Sequence, residues 1–207
     1  MYIPPHFRVE DRRVIASFME QFDFVALVTN GPAGLVATHV PVLIREAGDD
    51  LQIVGHLARG NPHWRLMDGH LESMAIFQGP HAYVSPTWYA SSGAVPTWNY
   101  AVVHAYGPVR IREDARFIAG VVEELTRRYE DGRERGWSPA TLDTDAYQKL
   151  LGAIVGIEMS VTRCEAKFKL GQNRSLEDRA GTVSGLTREA SASAHDMANF
   201  MKLYGGV

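Results

Sequence analysis

Apolar positions along the 207 residues change their spacing several times, and each change marks an element. From Glu10, the residues Val14, Ile15, Phe18 and Phe22 step by three and four, which predicts a helix with one buried face. The spacing then shortens. Phe24 to Thr29, Gly34 to Arg45, Leu51 to His56, Ser73 to Ser85 and Thr97 to Arg112 are rich in β-branched and aromatic residues. Turn clusters such as TNGPAG and EAGDD separate them, so they read as a meander of strands and not as a βαβ series. Helical spacing returns in DARFIAGVVEELTRRYE, with Ile118, Val121, Val122, Leu125 and Tyr129 on one face and Asp114 as the N-cap. A shorter helix is predicted over Asp145 to Leu151. The stretch VGIEMSVTRCEAKFKL alternates, with Val155, Ile157, Met159 and Val161 on one side and Glu158, Ser160 and Thr162 on the other, as a strand returning to the sheet. Beyond Gly171 two weaker helical patterns, Leu176 to Thr187 and His195 to Leu203, flank the small-residue run EASASA.

These elements predict a mainly β fold with peripheral helices. The expected architecture is a closed or nearly closed antiparallel barrel of about six strands, since closure removes edges that would otherwise need protection. Residues 1–174 would form the barrel domain, and residues 175–207 a C-terminal helical segment packed on it or extending from it.

Composition narrows the chemistry. With 21 basic and 24 acidic residues the net charge is -3, so no general positive field draws the chain onto nucleic acid or an anionic membrane. Cys164 is the single cysteine, which excludes an internal disulfide and fits a reducing, cytoplasmic setting. The segment MYIPPHFRVEDRR lacks an apolar signal core, and no stretch approaches the roughly 20 apolar residues of a membrane span. Neither glycine-loop nucleotide motif occurs, nor H-E-x-x-H, nor G-x-S-x-G. The eight histidines are scattered without the i, i+4 spacing of a helical metal pair, so no metal site is predicted. No segment makes a helix-turn-helix with a basic second helix.

Four stretches place polar and aromatic residues where a plain strand would be aliphatic. HLARGNPHW sets Arg59 in a Gly-Asn-Pro turn, where backbone N–H groups and a guanidinium could meet a phosphate, or where an ordinary arginine could face solvent. GPHAYVSPTWY and VPTWNYAVVHAYG read as neighbouring strands. Alternation puts Trp98, Tyr100, His104 and Tyr106 on one face and Asn99 and Val103 on the other, as a ligand wall or as core and subunit packing. KFKLGQNRS sends Lys167 and Lys169 to one side together, where they need an anion or water, or form a solvated edge. Jointly the four suit a ligand with a phosphate at one end and a flat heterocycle at the other. Flavin mononucleotide has that shape; pyridoxal phosphate would want a buried lysine in an apolar pocket, whereas these lysines crowd at a strand end.

MYIPPHF, HLARGNPHW, GPHAYVSPTWY, VPTWNYAVVHAYG and KFKLGQNRS, in that order, resemble the PaiB-type family of FMN-binding negative transcriptional regulators, over Met1 to about Leu186. The resemblance implies an FMN-binding split β-barrel, a homodimer with FMN in the groove between subunits, and repression of sporulation and degradative-enzyme genes in bacterial relatives. It also implies Arg59 and Asn61 near the phosphate with one or both of Lys167 and Lys169. His81, Trp98 and Asn99 would lie near the ring, and Gln172 and Arg174 would reach across from the partner subunit. Ser191 onward matches nothing in the family pattern and is given no role.

Two functions follow. One is a flavin-binding regulator of transcription, for which a net acidic chain without a recognition helix has little grip on DNA. The other is an FMN-dependent oxidoreductase, of the flavin-reductase or pyridoxamine-phosphate-oxidase kind, acting on a small molecule, with catalytic residues unassigned. A third, haem or metal binding through the histidines, has only their number in its favour.

Overall fold

The computed structural model describes residues 1–47 and 50–207. Its strands are β1 (Arg8–Val9), β2 (Phe24–Gly31), β3 (Gly34–Ala47), β4 (Asp50–Ala58), β5 (Glu72–Val84), β6 (Thr97–Arg112), β7 (Ile154–Val161) and β8 (Arg163–Lys169). Its α-helices are α1 (Arg12–Gln21), α2 (Ala115–Glu130), α3 (Thr144–Gly152), α4 (Leu176–Arg188) and α5 (Ala192–Tyr204). The turn expected in EAGDD includes Gly48 and Asp49, which lie outside the described residues. No helix among the described residues is long and apolar enough to cross a membrane.

Strand order is β1-β8-β6-β5-β2-β3-β4-β7, and β6 pairs with β7 as well. Six strands, β6-β5-β2-β3-β4-β7, therefore follow one another in a hydrogen-bonded cycle. The expectation of about six strands is corrected to eight. The two extra ones are the short β1 and the separate β8, which the sequence pattern had merged with β7.

The merger fails for a reason visible in the burial. Val155, Ile157 and Met159 are buried in β7, but Ala166, Phe168 and Leu170 are buried in and after β8, so the inward parity changes from odd to even numbers. The change falls at Thr162, whose backbone N–H and side-chain hydroxyl both donate to the Tyr106 carbonyl instead of continuing the strand pattern.

The chain divides into two compact units. One comprises Met19–Phe77 and Ala105–Cys164. There β2 pairs with β3 and β5, β3 with β4, β4 with β7, and β7 with β6, all antiparallel. Helix α2 covers β3 and β4 through Leu43, Val54, Val121 and Leu125 with Phe117 beside them. Asp114 caps α2 as predicted, its carboxylate accepting from the Phe117 N–H at 2.9 Å. Gly107 is needed where β6 meets β7: a Cβ there would lie 1.9 Å from the Ser160 carbonyl oxygen.

The other unit comprises Met1–Phe18, Gln78–His104 and Glu165–Val207. It takes in α4 and α5, the segment expected as an appendage. Its core is aromatic: Phe168 of β8 packs on Phe18, Phe200 and Tyr204 with ring centroids 5.0, 5.1 and 5.5 Å away. A short 3-10 turn, Pro86–Trp88, rests on α4 at Gly181 and Gly185. A Cβ at these two positions would come within 2.1 Å of the Trp88 carbonyl oxygen and 2.2 Å of its indole, so only glycine admits the contact. Asp178, buried in the first turn of α4, fixes the same loop by accepting from the Ser91 N–H at 2.9 Å and its hydroxyl at 2.7 Å.

Candidate functional site

In the unit that holds α4 and α5, β6 alternates strictly between outside and inside. Trp98, Tyr100, Val102 and His104 face outward, while Asn99, Ala101 and Val103 are buried, as the period-two reading required. Trp98 keeps 53% of its surface exposed and Tyr83 46%, high values for large rings on a sheet. His81 lies nearly parallel to Trp98 at 6.3 Å and Tyr83 meets it edge-on at 6.2 Å. Gln78, His81, Trp98 and Tyr100 border one concavity of about 360 Å³. A larger one of about 640 Å³ shares His81 and Trp98 and is walled also by Tyr83, Trp88 and the α4–α5 junction.

The cations gather at the end of β8. The Lys169 ammonium donates to the Trp98 carbonyl at 2.9 Å and to the Thr97 hydroxyl. Burial, then the charges of Lys167 and Arg174, push its pKa below the usual lysine value. A small cavity of about 120 Å³ brings Lys169 together with Asn99, Tyr89 and Arg174. Arg174 stacks over the Tyr89 ring at 4.7 Å. Lys167, only 7% exposed, donates to the Tyr2 carbonyl at 3.1 Å and lies 5.2 Å over the Tyr100 ring. No ion pair among the described residues engages Lys167, Lys169 or Arg174, so their close contacts are to carbonyls, the Thr97 hydroxyl and rings. Asn99 is buried, with its amide directed at the Met201 sulfur at 3.3 Å. Gln172 spends both ends of its amide on its own strand end, accepting from the Leu170 N–H at 2.8 Å and donating to the Phe168 carbonyl at 2.7 Å.

Arg59 and Asn61 belong to the other unit. Arg59 donates from Nε to the Gly152 carbonyl at 2.9 Å and from Nη2 to the Ile154 carbonyl at 3.2 Å, and it pairs with Glu113 at 2.6 Å. Three of its five N–H groups are thereby used. Asn61 caps the 3-10 turn Pro62–Leu66, accepting from the His63 N–H, and donates to the Thr38 hydroxyl at 3.0 Å. The His63 ring, 1% exposed, shares that hydroxyl through Nδ1 at 2.9 Å, while its Nε2 has no partner among the described residues. Burial holds its pKa below the usual imidazole value.

Sequence reasoning assigned nothing to Ser191 and Ser193, which line the larger concavity with Glu189. A run of small residues has no periodicity from which a wall could be read.

The family described as "Putative FMN-binding domain" matches residues 1–163. The chain belongs to this family. It is 35% identical over 205 residues, 98% of this chain and 97% of the relative, to "Protease synthase and sporulation protein PAI 2" of Bacillus subtilis (strain 168). An uncharacterized protein of Emericella nidulans is 34% identical over 160 residues, covering 70% of this chain and 62% of its own. Among solved structures, the FAD and haem binding protein of Mycobacterium smegmatis aligns with a TM-score of 0.60 at 17% identity, over 79% of this chain and 74% of that one. The flavocytochrome Anf3 of Azotobacter vinelandii aligns at 0.59 with 15% identity, over 86% and 78%. At such identities these two likenesses establish the split-barrel fold. The PaiB-type resemblance is thus confirmed at the level of family, and FMN is the cofactor that the family domain takes.

Proposed function

We propose that the protein is a cytoplasmic homodimer that binds FMN and acts as a PaiB-type negative transcriptional regulator. One observation supports this reading of the flavin site: an exposed indole flanked by His81 and Tyr83 shares its unit with Lys167, Lys169 and Arg174, none of which forms a salt bridge among the described residues, although Arg174 feels the charge of Asp178. In this reading the ring lies over Trp98 and Tyr100 and the phosphate meets Lys169 and Arg174, with Lys167 adding to the field. Asn99 steadies the strand beneath, and the exposed rings are covered by the twin subunit, at whose border Gln172 and Arg174 stand. Charge-assisted bonds to a phosphate would offset the burial and the repulsion that now lower the Lys169 pKa. Arg59, beside Asn61 in its own unit, has two N–H groups left that could meet an anion. FMN, when bound, supplies a ring that takes up and returns hydride or single electrons.

The test is direct. The purified protein should show a flavin absorption spectrum or bind added FMN, and light scattering should give twice the chain mass. A monomer without affinity for FMN would refute the proposal. For regulation, promoter DNA should be retarded by the protein in a salt-sensitive way; no retardation at low salt would remove direct DNA contact from the proposal.

The alternative is an FMN-dependent oxidoreductase, and the larger concavity beside Trp98 favours it, because its volume of about 640 Å³ is that of a small-molecule site. Bleaching of bound flavin by NADH or NADPH would support it, and a flavin inert to both would count against it.

A further inference from the structure

The larger concavity is bordered by elements from four parts of the chain: β5 with His81 and Tyr83, the loop with Ser85, Thr87 and Trp88, β6 with Trp98, and the α4–α5 junction with Glu189, Ser191 and Ser193. Residues 189–193 lie beyond the family domain match, which ends at residue 163, but within the 98% of the chain that aligns with the Bacillus subtilis relative. The wall is firmly built, with Trp88 seated on the two glycines of α4, Asp178 holding Ser91, and the Ser193 hydroxyl donating to the His81 carbonyl at 2.5 Å.

The charge of the lining is one-sided. No lysine or arginine borders the cavity, and Glu189 is the single carboxylate there. The neighbouring Arg188 does not neutralise it, since that guanidinium donates to the Ser184 hydroxyl at 2.6 Å. Glu189 is the C-cap of α4, so the partial negative charge of that helix end adds to its carboxylate and leaves the lining net negative. Ser85 and Thr87 already bond each other at 2.8 Å, so their remaining polarity is modest. What the cavity offers a ligand is therefore the indoles of Trp88 and Trp98, the Tyr83 ring and one carboxylate. Aromatic faces with a carboxylate attract a flat cation and repel phosphates and carboxylic acids.

We propose that this cavity binds a small planar organic cation, with Trp88, Trp98 and Tyr83 providing ring contacts and Glu189 setting the preference for positive charge. The site does not require flavin in the concavity bordered by Gln78 and Tyr100, although an occupant would then share Trp98 with the cofactor.

The probes are N-methylquinolinium, quinoline and quinoline-4-carboxylate, three similar ring systems that are cationic, neutral and anionic near neutral pH. Titration calorimetry at low salt, with and without saturating FMN, should rank them cation, neutral, anion. Glu189→Gln, at an exposed helix end where folding is little at risk, should weaken the cation roughly fivefold and leave quinoline unchanged. Trp88→Ala should weaken all three, and thermal melts would show whether that variant folds. Equal binding of anion and cation, or a Glu189→Gln variant with undiminished preference for the cation, would overturn the proposal. Failure to bind FMN while the ranking holds would overturn the flavin reading and leave this one standing.

Discussion

Four arginines of one unit and the three cations at the end of β8 in the other are handled in opposite ways. In the unit containing α2, Arg45, Arg59, Arg112 and Arg128 each pair with a carboxylate, from Glu124, Glu113, Glu158 and Asp23, at 2.6 to 2.8 Å. At the end of β8 in the other unit, Lys167, Lys169 and Arg174 repel one another and lean on carbonyls and aromatic rings. A fold that pairs its cations in one place and crowds them unpaired in another has left charge available for an anion there. A count of basic residues does not show this; the distribution of their partners does.

The sharpest way to break the comparison is Lys169→Ala. It should lower FMN affinity on the order of ten- to a hundredfold, the loss of about 1.5–3 kcal/mol expected for a charge-assisted bond. The melting temperature without FMN should scarcely change, since a repelled, desolvated charge leaves with the two hydrogen bonds. Flavin fluorescence titration and calorimetry would measure both, and an unaltered affinity would place the phosphate elsewhere.

Arg59→Ala should do the reverse. Its half-exposed side chain ties Glu113 to the Gly152 and Ile154 carbonyls, so its removal should cost about 1 kcal/mol of stability, seen in urea unfolding. FMN affinity should fall less than in Lys169→Ala. A larger fall would mean that Arg59 is the principal anion anchor and that the paired arginines are not merely structural.

Trp98→Ala removes an exposed ring and should leave stability nearly intact while weakening FMN about threefold to tenfold, the scale of a single aromatic contact. Unchanged quenching of flavin fluorescence in the variant would separate the ring from this face.

The smallest effect is in acid. Burial holds His56 and His63 below the ordinary imidazole value of about 6.5, so the unfolded chain takes up protons first as pH falls. Stability should decline from about pH 6.5 downward until the folded histidines titrate, and His63→Gln should flatten the decline in thermal melts. A profile of unchanged slope in that variant would show that His63 is not one of the groups responsible.

Much of the fold could be read from the residues because strands and helices impose periods on them. The outward run Trp98, Tyr100, Val102, His104, the cap at Asp114 and the span of α3, Thr144–Gly152 against Asp145 to Leu151, all follow from local rules. The break at Thr162 was also present in the sequence, as apolar residues that move from odd to even positions, but alternation on both sides disguised it as one strand. What could not be read is who partners whom. Nothing local assigns Glu113 to Arg59 or leaves Lys169 without a carboxylate, and nothing in EASASA announces that Ser191 and Ser193 border a cavity.

The parity change at Thr162 makes the positive cluster depend on counting. Side chains along β8 point by turns to opposite faces, so removal of one residue between Thr162 and Lys167 would rotate every later position. Phe168 would turn toward water, and the two lysines would be driven into the aromatic core that Phe168 now shares with Phe18, Phe200 and Tyr204. Length in this segment is thus constrained more tightly than composition: many substitutions there could be tolerated, but a single deletion would exchange the lysine side of the strand for its interior.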